Sequence, residues 1–246
     1  MKVELGKNII HFNELNSTNE FAINFIKNNK INSPIIITTY FQVNGAGQRE
    51  KIWESEQGKN LLMSVILSPN ISLKDQFNLT ILISLAISDL LNEYKLKNVK
   101  IKWPNDILIN DKKIAGILIQ NKVKSDKISH SVIGIGLNIN QMVFKDYLPK
   151  ATSILSEISE EMNLEKVRDI LISFMEKRYN EIINGKNLME EYQKNLYLKN
   201  QKSLFQINER KVFGIIKSVT SSGKLVVDID EVGEKYFSLN EIKFLF

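Results

Sequence analysis

The segment Lys102-Trp-Pro-Asn-Asp-Ile-Leu-Ile-Asn-Asp-Lys-Lys-Ile-Ala-Gly-Ile-Leu118 carries more structural information than any other part of the chain. A short strand, Val99 to Lys102, stops at Trp103-Pro104, because proline cannot donate to a strand ladder. Asn105 and Asp106 stand at its tip. Ile107-Leu-Ile109 and Ile114-Ala-Gly-Ile-Leu-Ile119 then flank Asn110-Asp-Lys-Lys113, a polar interval that reads as a hairpin turn. The hairpin carries Lys113 back beside Asn105 and Asp106. A buried lysine next to an aspartate keeps its charge while facing a ligand anion. The alternative is a surface turn whose ion pair contributes little. Trp103, Gly116 and the apolar flanks favour burial, so the polar tip needs a reason to be there.

On the N-terminal side, Ile9 to Phe12 reads as a strand. Asn16-Ser-Thr-Asn-Glu20 opens a helix in which Ser17 and Glu20 fit a capping box. Phe21, Ala22, Phe25 and Ile26 form that helix's apolar face. Ile35-Ile-Ile-Thr-Thr39 and Leu61-Leu-Met-Ser-Val-Ile-Leu67 read as buried strands, and residues 74–94 as a long amphipathic helix. On the C-terminal side, Val132 to Ile139 is an apolar strand loosened by Gly134 and Gly136. Helices near 163–184 and 187–197 follow. The tail, 199–246, is a series of short β-type runs with a turn at Ser221-Ser-Gly223, as in small barrels. The expected fold class is α+β: a mixed sheet with flanking helices over residues 1–198, then a small SH3-like β-barrel domain over 199–246.

Two further segments bear on chemistry. Gly45-Ala-Gly47, followed by Gln48, Arg49 and Lys51, lets backbone approach a phosphate with cations behind it. The Gly-Lys-Ser/Thr of a Walker A loop is missing, and a plain turn is the other reading. Gly134 and Gly136 inside a strand mark close approach of a ligand or of other backbone, and Asn138 at the strand end suits a base edge.

Composition narrows the classes. Hydrophobic residues make up 43% of the 246 and charged residues 25%, the balance of an ordinary globular protein. There is no cysteine and only His11 and His130 carry imidazole, so disulfides, thiolate metal sites, histidine zinc sites and histidine triads are excluded or starved of ligands. Absence of cysteine is compatible with a reducing cytoplasm, the expected location. A net charge of +5 suits a polyanionic ligand such as ATP, an acidic partner, or scattered surface solvation. Met1 to Ile10 lacks the apolar core of a signal peptide, and no apolar run reaches membrane-spanning length.

Taken in order, these segments resemble the catalytic domain of biotin–protein ligases. The likeness runs from about Ile9 to Leu155, through Ser17-Thr-Asn19, the glycine loop ending at Trp53, Lys102-Trp-Pro-Asn-Asp106, Lys113-Ile-Ala-Gly116 and Gly134-Ile-Gly-Leu-Asn138. The resemblance implies roles. Ser17, Thr18, Asn19 and Gln42 would take the ureido head of biotin, with backbone of Gly45 and Gly116. Gly134 and Gly136 would let the rings pack on the strand. Gly47, Gln48, Lys51, Trp53, Asn105 and Asn138 would face ATP or the adenylate. Lys113 would bridge the biotin carboxylate and the α-phosphate, aided by Arg49 and by Mg²⁺ on the nucleotide, and Asp106 would accept a proton or orient. The loop from Asn140 to Thr152 would fold over the adenylate, with Phe144 and Leu148 as covers. Ala46 and Gln48 depart from the family's usual arginines, a change that bears on retention of the intermediate. The implied reaction makes biotinyl-5′-AMP and passes biotin to a lysine of a biotin carboxyl carrier protein domain. A lipoate or octanoate ligase or transferase of the same fold is the alternative. No DNA-reading element precedes Ile9, so no specific DNA partner is expected.

Overall fold

The computed structural model describes residues 3–48, 51–146 and 149–245. Arg49 and Leu148, both expected near the site, lie outside the described residues. The chain order is β1 (Ile9–Leu15), α1 (Thr18–Asn28), β2 (Ile35–Gln42), β3 (Asn60–Leu67), β4 (Ile71–Ser72), α2 (Phe77–Glu93), β5 (Val99–Lys102), β6 (Asp106–Ile109), β7 (Lys112–Lys124) and β8 (Lys127–Asn138). Then come α3 (Ile154–Ile158), α4 (Leu164–Ile183), α5 (Met189–Lys194), β9 (Lys202–Ile207), β10 (Arg210–Val219), β11 (Leu225–Ile229), β12 (Gly233–Phe237) and β13 (Lys243–Phe244). The first eight strands form one sheet in the order β1-β2-β3-β8-β7-β6-β5, with β4 beside β8. Only β1 and β2 run parallel, so the sheet is mixed. The α+β class expected from the sequence is the one observed.

Alternation sorts the sheet's two faces. Met63, Val65 and Leu67 of β3 and Ile133 and Ile135 of β8 join the main core with α2, α4 and α5. Helix α2 is apolar nearly all round and buries twelve residues, because it is enclosed between the β7-β6-β5 end of the sheet on one side and α4 and α5 on the other. Ile66, Val132 and Ile37 point to the opposite face and meet Ala22 of α1. Helix α1 begins where predicted: the Ser17 side chain accepts from the Glu20 N–H. The Glu20 carboxylate takes the Asn16 side-chain amide, so the hydroxyl half of the expected capping box is formed.

The hairpin β6–β7 turns on Asn110 and Asp111, whose φ angles of +46° and +64° are those a tight two-residue connection demands. Lys112 and Lys113 already belong to β7, so the turn is shorter than the sequence implies. A bulge sits between Ile107 and Leu108 on one strand and Lys113 and Ala115 on the other. Residues three apart on a regular strand face opposite ways. The extra residue, Ile114, puts Lys113 and Gly116 on the same side.

The second sheet is antiparallel and five-stranded, in the order β12-β11-β10-β9-β13, in keeping with the small SH3-like module expected of the tail. Its apolar face (Phe205, Ile216, Leu225, Val227, Phe244) joins the main core without a break. Trp103 donates its indole N–H to the Gly223 carbonyl at 2.9 Å, and Gly223, at φ +87°, lies against the Phe77 ring. Among the described residues no helix is long and apolar enough to cross a membrane.

Candidate active site

The face of the sheet toward α1 carries a pocket whose floor is set by strand register. One cross-strand row reads Ser64, Gly134, Leu118. The adjacent row reads Leu62, Gly136, Gly116, Asp106. Three glycines therefore lie side by side and leave the sheet bare of side chains. What fills the space explains why they are glycines. A Cβ on Gly134 would stand 2.2 Å from the Asn19 Oδ1, one on Gly136 2.4 Å from the Trp53 indole, and one on Gly116 2.8 Å from the same ring. The remaining cavity is about 50 Å³ and is lined by Ser17, Thr18, Asn19, Gln42, Ala46, Gly47, Gln48, Trp53, Asn105, Lys113 and the glycine rows.

One end of the pocket is polar and closely bonded. Gln42 Oε1 accepts from the Thr18 backbone N–H at 2.8 Å and lies 3.0 Å from the Thr18 hydroxyl. Ser64 Oγ, fully buried, is 2.7 Å from Thr18 Oγ1 and 2.6 Å from Asn19 Oδ1. Asn19 Nδ2 donates to the Leu118 carbonyl at 3.2 Å and to Gln120 Oε1 at 2.9 Å.

The other end is ionic. Lys113 Nζ lies 2.6 Å from Asp106 Oδ1, and Lys102 Nζ lies 3.2 Å from Asp106 Oδ2. Burial, the largest influence, pushes the Asp106 carboxyl up, but the ammonium groups of Lys113 and Lys102 outweigh it and hold it below the usual carboxylate range. Lys113 also sits 5.4 Å from the Trp53 ring centroid, within cation–π range. Lys112 points away and meets Glu157 at 3.6 Å. The Lys113 backbone is clamped on both sides: its N–H donates to the Lys150 carbonyl and its own carbonyl accepts from the Thr152 N–H.

Backbone bonds tie the start of the glycine loop to its end. Trp53 N–H donates to the Gly45 carbonyl at 2.7 Å, and Gly47 N–H to the Lys51 carbonyl at 2.7 Å. A Cβ on Gly45 would stand 2.4 Å from the Trp53 carbonyl, so the close backbone approach requires glycine there. The Lys51 side chain is exposed and outside the pocket lining. Asn105 lines the pocket and donates to the Ile117 carbonyl at 2.9 Å. Asn138 is buried and donates to the Thr152 carbonyl at 2.9 Å, which places it beneath the loop that follows β8 rather than in the lining. Phe144 lies in that loop and is partly buried.

Ser64, Lys102 and Gln120 were not singled out from the sequence, yet they hold the residues that were. The signal was present for one of them, Ser64, a lone hydroxyl in the apolar run Leu61-Leu-Met-Ser-Val-Ile-Leu67, whereas Gln120 is exposed. A polar group in a fully buried strand must find a partner.

A mixed sheet with a glycine-floored pocket, polar at one end and carrying a paired lysine at the other, defines an α+β domain whose pocket suits a small molecule. The chain belongs to the Biotin/lipoate A/B protein ligase family, whose model matches residues 12–138. It is similar to the bifunctional ligase/repressor BirA of Bacillus subtilis, with 34% identity over 178 residues that cover 71% of this chain and 54% of that protein. The chain thus spans about half the length of that curated relative. Its fold is that of the biotin protein ligase from Aquifex aeolicus in complex with biotin and ATP, with TM-score 0.77, 21% identity, and 96% and 98% of the two chains covered. It also resembles the Leishmania major biotin protein ligase in complex with biotinyl-5-AMP, with TM-score 0.65, 22% identity, and 95% and 99% covered.

Proposed function

We propose that this chain is a biotin–protein ligase that forms biotinyl-5′-AMP from biotin and ATP and passes the biotin to a lysine of a biotin carboxyl carrier protein domain. One observation carries the reading. A single pocket joins a neutral hydrogen-bonding end at Thr18 and Gln42 to a cationic end at Lys113, across a floor of Gly116, Gly134 and Gly136. A flat bicyclic urea with a carboxylate tail has that polarity. A lipoyl ring offers no N–H to the polar end, which disfavours the lipoate alternative.

The residues support an account without a general base for the first step. An aliphatic carboxylate is ionised at neutral pH, its pKa being about 4 to 5. Lys113 would hold it against the α-phosphorus and stabilise charge that builds there as pyrophosphate leaves. Asp106, held as a carboxylate between two lysines, is a weak base, so its role is to aim Lys113. Mg²⁺ would arrive on the triphosphate, the usual habit of that ion. The carrier is an acidic or neutral protein domain met in the cytoplasm, and no sequence-specific DNA contact forms part of the reaction.

Pyrophosphate release from ATP tests the proposal. It should require biotin, persist without carrier for one turnover, and become catalytic with an acceptor domain. Release that ignores biotin, or that responds equally to lipoate, would remove the reading.

A further inference from the structure

Hydrogens can be counted at the polar end of the pocket, and the count sets a direction. The anchor is the Leu118 backbone carbonyl, which can only accept. It faces the Asn19 side chain at 3.2 Å, so that contact must be Nδ2, and Oδ1 must face Ser64. Asn19 Oδ1 can only accept, at 2.6 Å, so Ser64 spends its one hydrogen there. Ser64 Oγ is then available to Thr18, 2.7 Å away, solely as an acceptor. A second anchor acts from the other side. The Thr18 backbone N–H faces the Gln42 side chain at 2.8 Å, which fixes Oε1 toward α1.

Thr18 therefore has one hydroxyl hydrogen and two acceptors in reach, Ser64 Oγ at 2.7 Å and Gln42 Oε1 at 3.0 Å. Whichever is refused becomes an oxygen–oxygen contact with no hydrogen between. The shorter contact is the more repulsive when bare, so the hydrogen belongs to Ser64. Thr18 Oγ1 and Gln42 Oε1 then turn two lone-pair regions toward the same point in the pocket.

We infer that Ser64 is a specificity-determining positioning residue: by taking the Thr18 hydrogen, it makes this end of the pocket an acceptor pair that demands an N–H from the ligand and rejects an oxygen in its place. The chain of command runs Leu118 carbonyl, Asn19, Ser64, Thr18. It also gives Gly134 its reason, since a side chain there would evict Asn19. Ser64 never touches ligand. The inference rests on the biotin reading, because it states which atoms of a cyclic urea the pocket sorts.

The test compares binding of biotin with that of its two cyclic carbamate analogues, in which one or the other ring nitrogen is replaced by oxygen. Calorimetry on the intact protein should give the poorer analogue an affinity about 10- to 100-fold below biotin, the scale of a buried acceptor pair left facing an oxygen. In Ser64→Ala the Thr18 hydroxyl is free to rotate and donate, so that ratio should fall to within roughly threefold, while Ser64→Thr, which keeps the hydroxyl, should retain it. A purely structural Ser64 would weaken all three ligands alike and leave the ratio untouched, which overturns the proposal. Equal binding of biotin and both analogues by the wild-type protein overturns it without any variant. Binding of none of them by the wild-type protein removes the biotin reading itself, and this inference with it, and is recognisable because no variant is involved.

Discussion

Lys113 and Lys112 are neighbours with the same chemistry and opposite surroundings. Lys113 faces Asp106 inside the pocket, whereas Lys112 faces Glu157 outside it. In the proposed reaction, replacing Lys113 with alanine removes a preorganised charge from the place where negative charge would develop. Biotin-dependent pyrophosphate release should then slow by about 10²-fold or more, with biotin affinity less affected. Lys112→Ala should be nearly silent, since a half-exposed surface pair contributes about 0 to 1 kcal/mol. A damaging Lys112→Ala, or a harmless Lys113→Ala, would show that the hairpin register is misassigned. Much at this scale was legible in advance. A lysine returned beside an aspartate by a hairpin follows from turn chemistry and apolar flanks. The bulge at Ile114, which decides that Lys113 rather than Lys112 shares a side with Gly116, leaves no mark in a sequence of alternating apolar residues. Nor does the direction of a hydroxyl hydrogen.

At the scale of elements, the long periodic segments read correctly and their ends less so. Helix α2 and strands β3 and β5 fall close to where composition and periodicity put them. Strands β7 and β8 run several residues beyond their apolar cores, because Asn121 to Lys124 and Lys127 to Ser131 pair across a turn although, Val123 and Ile128 apart, they are polar. Ladder hydrogen bonds reward backbone, not hydropathy. A second feature that no pattern displays is the knot of charge joining three helices. Arg178 of α4, with a side chain 5% exposed, bonds Asp89 of α2 through two nitrogens at 2.7 and 2.8 Å. It also reaches Glu181 of α4 and Glu191 of α5. Arg178→Ala leaves these carboxylates without their shared cation, and stability should fall by about 3 kcal/mol, the lower part of the range for a broken buried pair because Glu191 is partly solvated. Urea unfolding should show a lower midpoint at unchanged slope. A shift under about 0.5 kcal/mol would mean that water already does the cation's work.

For the molecule as a whole, the glycine floor of the pocket is already covered by a side chain. The Trp53 indole rests on Gly116 and Gly136, where the proposed function would put the fused rings of biotin, and its buried N–H has no hydrogen-bond partner among the described residues. Binding should therefore expel the indole from the floor. The chain has two tryptophans, and Trp103 is held against the second sheet by its bond to Gly223, so Trp53 alone should report the event. In a Trp103→Phe variant, biotin should change the emission of the remaining indole, with an observed rate that levels off at high ligand concentration as the indole's departure becomes limiting. Unchanged emission on saturation, with binding verified calorimetrically, would place the ligand elsewhere.

Lys102-Trp-Pro-Asn-Asp106 serves two clients. Asn105 lines the pocket and Asp106 holds Lys113 there, while Trp103 holds the Gly223 turn and Lys102 lies 5.2 Å from the centroid of the Phe244 ring as well as beside Asp106. The tail is thus upholstery for the very residues that hold Lys113 in place. Drift in Gly223 or Phe244 is not silent cosmetic change at the periphery, and a chimera that borrows its last fifty or so residues from a cousin inherits a seat cut for another sitter.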